Sequence, residues 1–236
     1  MCGYVAIFRS DTTDIPYSLG EDLLNHRGPD DKSILIDENY VLGFWRLSIV
    51  DADKGRQPME DLASGLKILF NGEVYNYKEI RKELISRNHI FLSESDTEVV
   101  LRSFIEWGRD CFKIFEGMFS ICLIDSRRDE IILVRDSIGI KPLYYSYSGP
   151  DLIIASEQKA IIKTVDMNTQ INIDALDDYL LYQSVLGEDT LFKDILKVQR
   201  GEILTFNLRS QKIINSVKII PEVKNLNIDS YEDYKV

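Results

Sequence analysis

Chemistry first concentrates at the second and third residues of the chain, Cys2-Gly3. Loss of Met1, common before a small residue such as Cys, would leave a thiol and a free α-amine on one residue. Reference pKa values are about 7.7–8.0 for the amine and about 8.5 for the thiol. Near neutral pH the amine can therefore act as a base while the thiol supplies the nucleophile. One residue would carry both parts that a Cys–His pair divides between two side chains, and Gly3 would let backbone and substrate approach closely. Read alone, the dipeptide is better explained as a small residue opening a strand.

The pattern around it predicts the elements that must hold such a site. Tyr4–Phe8 reads as a strand, and Ser33–Ile36 and Tyr40–Trp45 as two more around a turn at 37–39. Leu66–Phe70 reads as a strand running into Asn71-Gly72, a turn signal. Helices are predicted over Tyr77–Arg87, with Ile80, Leu84 and Ile85 on one face, and over Thr97–Trp107, stopped by Gly108. Strands follow at Met118–Ile124, Ile131–Arg135, Leu143–Tyr147 and Leu152–Ala155. A helix over Ala175–Val185, ended by Gly187, precedes strands at Glu202–Phe206 and Lys212–Ile214. Strands in groups with helices in pairs predict an α+β sandwich rather than an alternating parallel sheet. Residues 1–220 read as one domain and 221–236 as a polar tail or truncated linker.

Composition narrows the classes. The chain has 236 residues, 44% hydrophobic, with a formal net charge of −11. An acidic chain without a basic face argues against nucleic acid as a partner. No stretch nears the ~20 apolar residues that span a bilayer, and no basic segment precedes the short apolar run at the N-terminus, so no membrane is expected and the cytoplasm is. Three cysteines make no disulfide framework, and Cys111 and Cys122 read as buried structural thiols. Two histidines and no Cys-x-x-Cys pair give no basis for a metal site.

An ordered set of motifs changes the reading of Cys2. His26-Arg27-Gly28-Pro29-Asp30 is followed by Arg46-Leu47-Ser48-Ile49-Val50-Asp51 and Gln57-Pro58-Met59. Then come Phe70-Asn71-Gly72-Glu73-Val74-Tyr75-Asn76, Ser95-Asp96-Thr97-Glu98, Arg135-Asp136, Gly139-Ile140-Lys141-Pro142-Leu143-Tyr144-Tyr145 and Ala155-Ser156-Glu157. Each is weak alone. In this order and spacing, from residue 2 to about 215, the set closely resembles the N-terminal glutaminase domain of the asparagine synthetase family, a branch of the class II glutamine amidotransferases.

The resemblance implies a four-layer αββα sandwich of the N-terminal-nucleophile hydrolase type, with Cys2 as nucleophile. It implies Asn71 and Gly72 as the oxyanion hole, where a side-chain amide and an adjacent backbone N–H converge on developing charge. Out of context Asn-Gly is an ordinary hairpin turn. Arg46 is implied to pair with the substrate α-carboxylate, a role its planar fork suits. Leu47 and Ile49 would support that loop through their backbones. Glu73 and Asp96 would accept the substrate α-ammonium. Ser95-Asp96-Thr97-Glu98 also reads as a helix N-cap with a capping box, and the two roles are compatible. Arg27 is implied either to gate the exit of ammonia or to anchor its loop. Gly139–Tyr145 reads as architecture, with Lys141 in a buried ion pair.

Three departures from the family matter. Trp45 stands before Arg46 where a polar residue is usual, which predicts a reshaped pocket rim. Gln199-Arg200-Gly201 replaces a Pro-Gly turn, and Gly201 can still make that turn. No Ser-Gly-Gly-x-Asp-Ser loop and no G-x-x-x-x-G-K-[ST] loop is present, so no means of activating an acceptor with ATP is visible. The resemblance therefore implies hydrolysis of L-glutamine to L-glutamate and ammonia without a cofactor. ATP and Mg would belong only to a missing synthetase activity, carried either by a separate chain that receives the ammonia or by the rest of a truncated protein. A glutamine-binding regulatory module with little turnover is the alternative, and a hydrolase for a different amide is the third reading.

Overall fold

A computed structural model describes residues 1–9, 19, 23–51 and 53–219. Two six-stranded antiparallel sheets form its centre. In the first, β1 (Gly3–Phe8) pairs with β3 (Tyr40–Arg46) on one side and β9 (Asp151–Ala155) on the other. β2 (Asp31–Ile36) extends this sheet at one end, and β8 (Tyr144–Ser148) and β10 (Ile195–Lys197) at the other. In the second, β5 (Leu66–Val74) and β6 (Gly117–Asp125) are central. β4 (Met59–Asp61) flanks β5, and β7 (Glu130–Arg135), β11 (Glu202–Asn207) and β12 (Ile213–Lys218) continue beyond β6.

Strand alternation sorts the side chains into three layers of core. Tyr4, Ala6 and Phe8 of β1 point between the sheets, where they meet Leu69, Cys122, Leu133 and Phe206. Val5 and Ile7 point to the opposite face, against Ala160 and Ile161 of α4 (Gln158–Thr164). On the outer face of the second sheet, Ile68, Phe70, Ile121 and Leu123 pack under Ile80 and Leu84 of α1 (Tyr77–Ser86) and Val100 and Phe104 of α2 (Asp96–Trp107). The result is the αββα sandwich expected.

Several local expectations need correction. β5 does not stop before Asn71-Gly72. It continues through both to Val74, with Asn71 opposite Ser120 and Gly72 opposite Phe119. Ile85 of α1 is 53% exposed, leaving Ile80 and Leu84 as its buried face. The helix expected over 175–185 is α5 (Ile173–Tyr182), capped by the Asn172 side chain and ended by Gln183 in the left-handed region at φ 57° rather than by Gly187. Trp45 is fully buried in the core beneath α4 and does not form the pocket rim. Cys111 and Cys122 are buried free thiols, as expected. The tail assigned to 221–236 lies outside the described residues, and none of the described helices is long and apolar enough to cross a membrane.

Candidate active site

The site lies at one end of the sandwich, where the start of β1 faces the far half of β5. Cys2, Asn71, Gly72 and Glu73 line a single cavity there. Arg46, the last residue of β3, with Leu47 and Ile49 from the loop after it, closes one side, and Asp96 at the start of α2 closes another. All eight residues assigned from the sequence thus converge on one space.

The Cys2 thiol is held by backbone groups. The Leu47 N–H donates to Cys2 Sγ at 3.4 Å, and the thiol points to the Leu47 carbonyl at 3.5 Å. Leu47 therefore engages the thiol itself, while Ile49 lines the cavity mouth with 64% of its surface exposed. Burial pushes the Cys2 thiol up, and the Leu47 hydrogen bond, the chain N-terminus and Arg46 pull it back. Met1 is 55% exposed beside it. Arg27, buried behind Cys2, donates Nε to the Cys2 carbonyl at 2.9 Å. That contact fits an anchoring role.

On the facing strand, Asn71 is buried, and among the described residues its Nδ2 has only a long 3.5 Å contact with Ser120 Oγ. Gly72 is needed for closeness rather than for unusual backbone angles. A Cβ there would fall 2.3 Å from the Met118 carbonyl oxygen and 2.6 Å from Phe119 Cα. Its neighbour across β6 thus leaves room for no side chain at this point.

Arg46 is almost fully buried, and its Nη2 donates to the Val50 carbonyl at 3.2 Å and the Asp51 carbonyl at 2.6 Å. A Cβ on Gly55 would lie 2.6 Å from that nitrogen, so Gly55 makes the slot for the guanidinium. Asp51 then ties this loop to the approach to α2, accepting from Lys54 N at 3.0 Å and from Glu94 N at 2.7 Å. These contacts pull its carboxyl below the ordinary range.

Asp96 follows the N-cap Ser95, whose hydroxyl accepts from Glu98 N at 3.3 Å. The capping box is only half formed. Glu98 turns its carboxylate to Leu92 N and Ser93 N instead of back to Ser95 N. Asp96 accepts from Val74 N at 3.3 Å, but burial, with Glu73 nearby, raises its pKa to about 6. Two carboxylates thus share a cavity with one arginine, an arrangement suited to a zwitterionic ligand.

Gln57, Thr97 and Lys141, to which the sequence assigns no site role, also line the cavity. All three lie inside motifs of the ordered set, which is the available signal. Lys141 forms no ion pair within 4 Å among the described residues. Its loop is built by Asp136, whose carboxylate accepts the N–H groups of Ile138, Gly139, Ile140 and Lys141 at 2.6–3.2 Å. Arg135 clasps the same loop through the Gly139 and Lys141 carbonyls. Burial lowers the Lys141 pKa from its ordinary value. Gly201 makes its turn at φ 63°, as expected. Among the described residues, no cluster of three His, Cys, Asp or Glu could hold a metal.

Comparison with known proteins agrees with this geometry. The family model described as glutamine amidotransferase domain matches residues 1–216. The chain belongs to the class II glutamine amidotransferases. It is 36% identical over 189 residues to asparagine synthetase [glutamine-hydrolyzing] 3 of Bacillus subtilis, covering 79% of this chain and 31% of that protein. It is 32% identical to putative asparagine synthetase [glutamine-hydrolyzing] 2 of Methanocaldococcus jannaschii, covering 90% of this chain and 45% of that protein. The amidotransferase therefore spans less than half the length of these relatives. Glutamine phosphoribosylpyrophosphate amidotransferase from B. subtilis shares the fold with a TM-score of 0.67 at 18% identity, over 93% of this chain and 49% of that one. The fold is that of the N-terminal-nucleophile hydrolases.

Proposed function

We propose that the amidotransferase hydrolyses L-glutamine to L-glutamate and ammonia through a thioester on Cys2. With Met1 removed, the Cys2 amine takes the thiol proton and Sγ attacks the carboxamide carbon. Asn71 Nδ2 and the Gly72 N–H hold the resulting oxyanion. The amine passes its proton to the departing nitrogen, and ammonia leaves a γ-glutamyl thioester. Water, deprotonated by the same amine, releases glutamate and restores the thiol. Arg46 takes the substrate carboxylate, and Glu73 and Asp96 its ammonium. No cofactor enters this cycle.

The observation that carries the proposal is the convergence of the Cys2 thiol, Asn71-Gly72 and the Arg46, Glu73 and Asp96 charges on one cavity. Incubation with glutamine should release glutamate and ammonia in equal amounts, and N-acetylglutamine should be a poor substrate. Glutamine binding without glutamate release would favour a regulatory module. Equal turnover of N-acetylglutamine would favour a hydrolase for a different amide.

The ammonia is proposed to pass to an ATP- and Mg-dependent synthetase partner, as a separate chain in the cytoplasm. The names of the relatives support a synthetase as the recipient. So does α5, where Leu180, Leu181 and Tyr182 are 73, 72 and 57% exposed, an apolar surface suited to a covering protein. A co-purified synthetase that cannot use glutamine in the presence of this chain would count against it.

A further inference from the structure

Glu157 sits at the N-cap position of α4, yet its carboxylate makes no capping hydrogen bond to that helix. It turns toward the segment before β2. Oε1 accepts from Arg27 Nη1 at 3.0 Å and lies 2.8 Å from His26 Nε2, and Oε2 lies 3.2 Å from Lys159 Nζ. With hydrogen bonds from His26, Arg27 and Lys159 around it, the Glu157 carboxyl falls below the usual range despite partial burial. Its own backbone is fixed by its predecessor. Ser156 N–H donates to the Tyr4 carbonyl at 3.0 Å, and the Tyr4 N–H donates to Ser156 Oγ at 3.1 Å. Glu157 is therefore carried just past the end of β9, the strand paired with β1.

Arg27 spans from this carboxylate to Cys2. Its Nε donates to the Cys2 carbonyl at 2.9 Å, and only 8% of its surface is exposed. Gly3 makes the room, because a Cβ there would lie 3.0 Å from Arg27 Cδ and 3.3 Å from Nε. Once Met1 is removed, no preceding peptide holds Cys2. Its carbonyl becomes the backbone handle through which its Cα, amine and Sγ can be oriented. A guanidinium fixed at a second point orients that handle better than one free to rotate.

We infer that Glu157 is a positioning residue for the nucleophile, holding the Arg27 guanidinium against the Cys2 carbonyl. The inference rests on the reading of Cys2 as the attacking residue. It predicts that loss of the clasp lowers the rate of attack without weakening the binding of glutamine, which is held by other residues across the cavity.

The test compares Glu157→Gln, Glu157→Asp and Glu157→Ala in the full chain with Asp61→Asn. The control weakens a similarly buried ion pair, Arg102–Asp61 at 2.7 Å, outside the cavity. Measurements are kcat and KM for glutamine, the rate of Cys2 alkylation by iodoacetamide, and Tm. Glu157→Gln should lower kcat and alkylation roughly three- to tenfold, in keeping with a weakened charge-assisted hydrogen bond, and leave KM within about twofold. Glu157→Asp should recover part of the loss, and Asp61→Asn should keep wild-type kcat. Wild-type kcat and alkylation in the Gln and Asp variants would overturn the inference even if the Ala variant fails to fold. So would an equal kcat loss in Asp61→Asn, or an effect on KM alone. A wild-type chain whose Cys2 alkylates but which yields no glutamate would count against glutamine hydrolysis, while the alkylation series would still decide the clasp.

Discussion

Gln57 grips the backbone of Phe70 at both of its hydrogen-bonding groups, accepting from Phe70 N at 2.6 Å and donating Nε2 to Phe70 O at 3.0 Å. The side chain does at this point what a neighbouring strand would do, just beyond the end of β4. The same Nε2 reaches Thr97 Oγ1 at 3.2 Å. One buried amide thus joins the strand that carries Asn71, Gly72 and Glu73 to the helix that carries Asp96.

Replacing Gln57 with Ala should strand two buried backbone groups. We expect a loss of roughly 2–4 kcal/mol in stability, read from urea unfolding, together with a fall in kcat. A stability change below about 0.5 kcal/mol, typical of surface substitutions, would contradict this role.

Asp96 predicts a pH dependence with opposite signs for stability and for binding. Its pKa of about 6 lies above the ordinary 3.8, so the folded chain takes up a proton between these values. The stabilisation this gives is fully present below the unfolded pKa and is lost as pH rises through 6. Asp96→Asn should therefore raise Tm of the unliganded protein at pH 7.5, by on the order of 1–3 kcal/mol in stability, and do little at pH 4. The proposed role of Asp96 as acceptor of the substrate ammonium requires the carboxylate, so KM for the wild type should rise as pH falls through 6. The Asn variant should have a raised KM that no longer follows pH through this group. Calorimetry at the two pH values and a KM–pH series measure both effects.

Gly72→Ala should be severe. The added methyl would meet the Met118 carbonyl oxygen at 2.3 Å, on a paired strand that cannot shift cheaply. We expect roughly 2–4 kcal/mol of destabilisation and, in any folded fraction, a kcat loss of about 100-fold or more as the oxyanion donors move apart. Gly149→Ala is the contrast, because at φ 60° its Cβ meets nothing within 4 Å. Only the left-handed backbone cost of about 1–2 kcal/mol should appear, with kcat unchanged.

Arg46→Lys should raise KM by about ten- to a hundredfold, with a smaller effect on kcat, since a point charge replaces a fork that also braces Val50 and Asp51. Steady-state kinetics with glutamine decide this. An unchanged KM would remove Arg46 from substrate binding.

The sequence was most legible where residue type alone implies chemistry. Cys2, Arg46, Asn71, Gly72, Glu73 and Asp96 stand out by type and motif, and they share one cavity. Continuous apolar runs, buried on both faces, make β1, β3, β6 and β7 readable. Asn71-Gly72 misled because Asn-Gly favours turns locally, whereas pairing with Ser120 and Phe119 keeps both in the strand. β10 has only three residues and α4 seven, too few for a periodic signal. β12 is exposed along its whole length and exists through its pairing with β11, so its own pattern carried little information. The contacts of Gln57 and Glu157 were not legible, because each depends on backbone or side chains brought together only by the fold.

The central claim is that a processed Cys2 attacks glutamine bound in this cavity. The most direct measurement is the intact mass of the protein after exposure to a diazo-ketone analogue of glutamine, followed by peptide mapping. The account predicts a chain lacking Met1 that carries a single adduct on Cys2, with adduct formation slowed by added glutamine. A chain that retains Met1, or a processed chain without an adduct on Cys2, would contradict it.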